Sequence, residues 1–171
     1  MPLQRGSLVN KDYFQRPNRV PWPPMIYIAV VLTALGLHLT WPMGLLPSMT
    51  GQWMRGSGLA LAGLGIALDL AAMVALRRAR TNILPHRGAD HLVTHGVFAR
   101  SRNPIYLGNT FLLAGLGLAL ASAWLFAGAL VAAFLVDRLA IRREERHLAA
   151  RFGQAFADYA ERVPRWIRFR R

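Results

Sequence analysis

The chain has 171 residues, 54% of them hydrophobic, and its 21 Lys and Arg residues exceed its 8 Asp and Glu residues, which gives a formal net charge of +13. A nucleic-acid-binding domain spreads such a basic excess over a solvated surface. Here the charged residues within segments 25–76 and 103–136 are Arg55 and Asp69 alone. Because such long charge-free blocks indicate a lipid bilayer as solvent, we expect no nucleic-acid partner. The absence of Cys also excludes disulfides and thiolate metal sites.

Residues 1–24 form a predicted cytosolic tail, because they lack the apolar core that a cleaved signal peptide carries directly behind its basic residues. Residues 25–171 form one predicted membrane domain. Its apolar segments, each near the length that spans hydrocarbon, are 25–41, 57–76, 104–120 and 123–141. Between the last two, Ala121 and Ser122 leave room only for a tight helical hairpin. The predicted fold is therefore an all-α polytopic membrane protein with about four transmembrane helices.

The positions of the basic residues predict the orientation. They lie in tail 1–24, in loop 77–103 and in the C-terminal tail 142–171, whereas the opposite loops contain almost none. Basic loops remain in the cytosol. We therefore expect both termini and the middle loop on the cytosolic side of a bacterial-type inner membrane.

Small residues are frequent in the predicted spans and permit close packing of helices in lipid. Gly58, Gly63 and Gly65 fit this role better than a phosphate-binding loop, because no strand precedes them. After the last span, apolar residues recur every three or four positions and predict an amphipathic helix along the membrane surface. These residues are Leu148, Phe152, Phe156, Tyr159 and Val163.

Polar residues are concentrated in the loop before the predicted hairpin and in the stretch after it. Since a hairpin returns the chain to the side that it left, the two segments should meet at the lipid–water boundary. In the loop, Asn103 is a good N-cap and Pro104 suits the first helical turn. The same helix start, flanked by Arg102, also suits a bound carboxylate or phosphate. Tyr106 lies one turn inside, as an interfacial anchor or a ligand contact.

The acidic residues allow two interpretations each. Glu144 and Glu145 either pair with neighbouring arginines such as Arg143 as a solvated cluster, or belong to a site. Asp69 lies inside a span, where an acid is costly, so it either contacts a neighbouring helix or lines the site.

Histidines raise a metal-site alternative. His91 and His95 are four residues apart, and His86 and His147 are further candidates. The zincin pattern requires Glu after the first His, and Leu92 occupies that position. We expect no metal.

The run LVTHGVFARSRNPIYLG and the later run EERHLAARFGQAFADYAERVPRWI resemble the isoprenylcysteine carboxyl methyltransferase and phospholipid methyltransferase family of integral membrane enzymes. The resemblance covers residues 81–167. The family's Arg-His-Pro-x-Tyr motif reads here from Arg102 to Tyr106 with Asn103 in place of His. The resemblance implies S-adenosyl-L-methionine as cofactor, bound between this motif and the glutamate after the hairpin.

By position, the resemblance implies candidate catalytic residues Glu144, Tyr106 and Asn103. Ala140 stands where the isoprenylcysteine enzymes have a substrate-associated Arg. Arg138, Arg142 or Arg143 are candidates to replace that Arg, and we assign candidate substrate contacts to Arg143, Glu145 and Asp69. The candidate cofactor contacts are His91, Leu92, Val93, Phe98, Arg102, Asn103, Pro104, Tyr106 and Glu144.

The predicted function is S-adenosylmethionine-dependent methyl transfer to a lipophilic acceptor with a carboxylate, amine or thiol group, at the cytosolic face of the bilayer. Methyl transfer is an in-line displacement, so alignment and exclusion of water supply most of the catalysis. A protonated amine acceptor would also need a base, for which His91, Glu145 or a lipid phosphate are candidates. The alternatives are a histidine-ligated membrane metalloenzyme and a non-catalytic membrane adaptor that uses its basic tail.

Overall fold

The computed structural model describes residues 22–45, 51–81 and 90–167. Residues 1–21 of the predicted tail 1–24, residues 82–89 of the predicted loop 77–103 and residues 168–171 of the predicted tail 142–171 therefore lie outside the described residues. The described part is helical with short connections. Its elements are α1 (Trp22–Thr40), α2 (Gln52–Arg78), a 3₁₀ turn (Gly96–Ala99), α3 (Pro104–Ala119), α4 (Ala123–Val136), a π turn (Asp137–Ile141), α5 (Arg142–Phe152) and α6 (Gln154–Arg162). The predicted all-α membrane fold is confirmed.

Within the described residues, three helical segments are long and apolar enough to cross a membrane: Pro23–Thr40, Gln52–Arg78 and Ala123–Phe152. The apolar helix α3 is shorter. The helical course that begins at Ala123 does not end near residue 141 but continues through the π turn to Phe152. No Gly or Pro interrupts the sequence between Gly128 and Gly153, so nothing in the backbone ends the helix earlier.

Helices α2 and α3 pack backbone against backbone. A Cβ added at Gly58 would lie 2.7 Å from the Gly115 carbonyl oxygen, and one added at Gly65 would lie 2.5 Å from the Gly108 carbonyl oxygen. Only glycine permits this approach. Gly63, on the other side of α2, has no atom within 4 Å of its Cβ position. The packing role predicted for these glycines therefore holds for Gly58 and Gly65 and not for Gly63.

The predicted hairpin joins α3 to α4 at the end of the bundle opposite the arginine-rich segments. Ala121 adopts a positive φ of 50°, and the buried Ser122 is the N-cap of α4. The Ser122 hydroxyl also lies 3.1 Å from Nδ1 of His38 in α1. The hairpin thereby returns the chain to the end of the bundle at which α3 begins.

The predicted C-terminal amphipathic helix is divided in two at Gly153, which has a φ of +52°. Phe156 and Tyr159 of α6 and the following Val163 form a buried cluster, and Leu92 from the loop before α3 packs against it. This apolar face therefore contacts the protein's own loop, and the contact fixes the C-terminal segment beside the start of α3.

Gly65→Ala is expected to destabilise the fold by about 1–3 kcal/mol, because the added methyl group overpacks the α2–α3 contact. Gly63→Ala is the matched control, since it changes the same helix where the Cβ meets no atom. Thermal unfolding of both variants in detergent measures the difference. Equal melting temperatures for the two variants would contradict the packing described here.

Candidate active site

The start of α3 carries the first half of the candidate site. Asn103 is the N-cap residue and Pro104 the first helical residue, as predicted. The Asn103 side chain does not cap the helix; its amide Nδ2 donates to the Arg165 carbonyl oxygen at 3.1 Å. Ser101 Oγ donates to the same oxygen at 3.3 Å and accepts from the Asn103 backbone N–H. The residues before α3 therefore hold the C-terminal segment.

Tyr106 and Glu144 are brought together from motifs on either side of the hairpin. The Tyr106 hydroxyl donates to Glu144 Oε1 at 2.7 Å. The Tyr106 ring is buried in a cluster with Val136, Ala140 and Ile141. Within the described residues Glu144 forms no ion pair, so its carboxylate is held by a tyrosine hydroxyl and not by a guanidinium. Such a carboxylate is suited to accept hydrogen bonds from a bound hydroxyl or ammonium group.

The neighbouring Glu145 lies between two arginines. Arg102 donates to its Oε1 through Nε at 3.1 Å and through an Nη atom at 2.7 Å. Arg165 donates to both carboxylate oxygens, with an Nη distance of 2.5 Å to Oε2, and also reaches Asp137 at 3.3 Å. The hydrogen bond with Glu145 raises the pKa of the Arg165 guanidinium. Glu145 thus pairs across the fold and not with adjacent arginines as the solvated-cluster interpretation expected.

Arg102 also binds the main chain of the C-terminal segment. Its second Nη atom donates to the carbonyl oxygens of Ala160 at 2.7 Å and Val163 at 2.9 Å. Its backbone N–H donates to the carbonyl oxygen of Pro164 at 3.0 Å. The planar guanidinium therefore places all its sides against protein groups. Arg102 therefore holds the C-terminal segment next to the start of α3.

The loop before α3 contributes the residues predicted as apolar walls. Val93 is buried, Leu92 and Phe98 are half-buried, and His91 is exposed. The Phe98 carbonyl oxygen accepts a 2.7 Å hydrogen bond from the Tyr159 hydroxyl of α6, and burial raises the pKa of Tyr159 to about 12. The loop and α6 are thereby joined next to the start of α3.

Two predicted substrate contacts lie apart from this pair of carboxylates. Asp69 sits at the α2–α3 contact with its carboxylate against Gly108, and Oδ1 has no hydrogen-bond partner among the described residues. Arg143 is exposed on α5. In the described part of the chain, neither side chain belongs to the Tyr106 cluster or takes part in the hydrogen bond between Tyr106 and Glu144.

The histidines do not converge where the structure describes them. No group of three or more His, Asp or Glu side chains that could hold a metal ion occurs among residues 22–45, 51–81 and 90–167. His147 is buried on α5, whereas His91 and His95 are exposed. His86, another residue of the metal-site alternative, lies outside the described residues.

Arg165 and Trp166 are site residues that the sequence analysis missed. Arg165 pairs with Glu145, and Trp166 packs against the cluster that contains Tyr106. Their only sequence signal is the position after Pro164, within the second motif run. A basic residue in a basic tail gives no indication of its partner.

Residues 53–155 match the phospholipid methyltransferase family. The chain belongs to this family. The resemblance to isoprenylcysteine carboxyl and phospholipid methyltransferases that the two motifs predicted is thus confirmed. This membership makes the chain one of a family of membrane methyltransferases.

Two similar proteins align with most of this chain. Protein-S-isoprenylcysteine O-methyltransferase B of Arabidopsis thaliana is 32% identical over 148 residues, covering 84% of this chain and 68% of the relative. The cobalt-zinc-cadmium resistance protein CzcN of Cupriavidus metallidurans is 32% identical over 153 residues, covering 90% of this chain and 65% of the relative.

A solved structure shares the fold of this phospholipid methyltransferase family member. It is the eukaryotic intramembrane Ras methyltransferase ICMT, an isoprenylcysteine carboxyl methyltransferase, with a TM-score of 0.64 and 26% identity. The alignment covers 89% of this chain and 54% of that chain. The family member described here therefore spans about half the length of the solved methyltransferase.

Tyr106→Phe is expected to destabilise the protein by about 1–3 kcal/mol, because it removes the hydroxyl that donates to the Glu144 carboxylate and leaves the ring in place. Tyr27→Phe is the matched control: its hydroxyl donates to the Tyr106 carbonyl oxygen at 3.3 Å, and Thr110 also donates to that oxygen. Thermal unfolding should show a smaller loss for Tyr27→Phe. A reversed order would contradict the contact between Tyr106 and Glu144.

Proposed function

We propose that the protein transfers the methyl group of S-adenosylmethionine to a lipophilic acceptor at one end of its helical bundle. The observation that carries the proposal is the 2.7 Å hydrogen bond between Tyr106 and Glu144, which unites the two family motifs. The contact lies where α3 begins and α5 follows the π turn, at the boundary between apolar helices and arginine-rich segments. Such a position borders both the aqueous phase, from which a soluble cofactor comes, and the bilayer, from which a lipid-like molecule comes.

The side chains at this place fit the proposed cofactor. S-adenosylmethionine presents hydroxyl and ammonium donors, a carboxylate, an adenine ring and a sulfonium cation. Glu144 supplies an acceptor without a guanidinium partner in the described chain. The first turn of α3 leaves backbone N–H groups that suit a carboxylate. Leu92, Val93 and Phe98 are the candidate apolar walls.

When bound, the cofactor supplies an electrophilic methyl group. The protein's part is then to align the acceptor, to exclude water and to hold the surrounding charges. Tyr106 fixes the orientation of the Glu144 carboxylate, and burial of its ring keeps water from one side of the contact. Asn103 donates a hydrogen bond to the Arg165 carbonyl oxygen and so holds the C-terminal segment beside the start of α3.

The candidate bases differ in their surroundings. Glu145 is bound by two guanidinium groups that stabilise its charged form and occupy its oxygens, so it is poorly suited to take a proton. His91 is exposed and its backbone N–H bonds to Thr81 Oγ1. We therefore favour His91 over Glu145 as the protein base for an amine acceptor; a carboxylate or thiolate acceptor needs none.

We further propose that the site faces the cytosol. The arginine-rich segments around it, including the C-terminal helices α5 and α6, are those that remain on the cytosolic side by charge. The proposal places the N- and C-terminal segments on that side of a bacterial-type inner membrane. Anionic lipid would then be attracted to the basic surface beside the site.

Glu144→Gln is expected to weaken binding of S-adenosylhomocysteine by about ten-fold or more, because a hydrogen bond to a charged acceptor contributes about 1.5–3 kcal/mol. Calorimetric titration of the detergent-solubilised protein measures the affinity. Glu161→Gln is the matched control, since it removes the same charge from the exposed face of α6. Wild-type affinity in Glu144→Gln would remove Glu144 from the cofactor site, and no binding by folded wild-type protein would reject the proposed cofactor.

The acceptor is best identified by incubating the protein with methyl-labelled S-adenosylmethionine and a lipid extract of its host. We expect a labelled lipophilic product that is lost in Glu144→Gln. The membrane-adaptor alternative would be favoured by a different pair of results. The wild-type protein would give no labelled product, and its binding to anionic lipid would persist when Glu144 or Tyr106 is substituted. Metal retained stoichiometrically after purification would favour the metalloenzyme alternative.

A further inference from the structure

The four residues 163–166, here called the C-terminal strap, run along the start of α3. Their carbonyl oxygens are bound in succession: those of Val163 and Pro164 by Arg102, and that of Arg165 by Asn103 and Ser101. This segment is not helical, because α6 ends at Arg162. Its position therefore depends on hydrogen-bond donors in the segment before α3.

Glu145 binds the side chains of both Arg102 and Arg165. Its two carboxylate oxygens bind Arg102 on one side and Arg165 of the strap on the other. The side chains of Glu145 and Arg102 are only 15% and 13% exposed. In such a partly dehydrated place, removing the carboxylate would take away the anion that the two neighbouring guanidinium groups share, and Arg165 would keep its 3.3 Å contact with Asp137. The loss of this shared anion would act directly on the strap.

The strap also packs against the apolar cluster that contains Tyr106. Trp166 packs against the cluster of Tyr106, Val136, Ala140 and Ile141. A displaced strap would withdraw this indole from the cluster in which the Tyr106 ring is buried. Glu144 and Glu145 are adjacent on α5 and face different partners, one the Tyr106 hydroxyl and the other the strap.

We propose that Glu145 is a positioning residue: by binding Arg102 and Arg165 it holds the C-terminal strap as a wall of the cofactor site. The proposal rests on the proposed function for the identity of the cofactor. It replaces direct contact between Glu145 and the acceptor by an indirect role. The strap, not the glutamate, meets the bound molecule.

The position of the strap is measured without any cofactor. The chain contains no Cys, so Ile167→Cys, at an exposed residue directly after the strap, takes a single nitroxide spin label. We expect the label to be immobilised in the otherwise wild-type protein and to become several-fold more mobile when Glu145→Gln is added. Arg165→Gln should have the same effect. Glu161→Gln is the matched control and should leave the spectrum unchanged.

The consequence for the cofactor site is measured by titration with S-adenosylhomocysteine. We expect Glu145→Gln and Arg165→Gln each to weaken its affinity about five-fold or more. The double variant should bind no more weakly than the weaker single variant, because both changes break the same Glu145–Arg165 pair. Melting temperatures of the same samples identify variants that merely unfold; Glu145→Asp, which keeps the charge, should restore part of the affinity.

The two measurements separate the possible failures. An immobile strap in Glu145→Gln would overturn the proposal whatever the protein binds. A mobile strap with unchanged affinity would overturn the strap's part in the cofactor site. If the wild-type protein binds no S-adenosylhomocysteine, the proposed function fails, while the spin-label spectra still decide whether Glu145 holds the strap.

Discussion

The close backbone contact between α2 and α3 positions the other parts of the bundle. In lipid no hydrophobic force draws helices together, so close approach through small residues has to hold them. Gly58 and Gly65 of α2 meet Gly115 and Gly108 of α3 at distances that exclude a side chain. This contact fixes α3, and the start of α3 carries the first family motif. The candidate site is thus positioned by glycines, which have no side chain that could take part in the chemistry.

The hairpin after α3 supplies the second half of the site. Ala121 and Ser122 turn the chain within a few residues, so α4 returns to the end at which α3 began. The helical course then continues to Phe152, beyond the apolar stretch, and carries Glu144 and Glu145 to the Arg102–Tyr106 motif. Because the return is tight, two segments about forty residues apart in sequence meet side chain to side chain.

The two adjacent glutamates illustrate how environment divides roles between identical groups. Glu144 is held by a neutral hydroxyl and keeps capacity to accept further hydrogen bonds. Glu145 is saturated by two guanidinium groups, which makes it a structural anion. Family membership makes the chain a membrane methyltransferase. The division between the two acids is the basis for our proposals that Glu144 faces the bound molecule and that Glu145 holds the wall around it.

The helical membrane fold, the hairpin, the helix start at Asn103 and Pro104, and the family could all be predicted from the amino-acid sequence, because they depend on local composition, turn length and contiguous motifs. The meeting of Tyr106 and Glu144 could be predicted too, since a short hairpin dictates it. Three contacts could not be predicted and follow from the packing of the helices: Glu145 binds Arg165, Asn103 holds the strap instead of capping α3, and the apolar face of α6 packs on the loop at Leu92. The reason is physical: in a tail with many arginines, charge attraction alone does not select a partner, and the choice follows from which guanidinium the packed helices bring within hydrogen-bond distance.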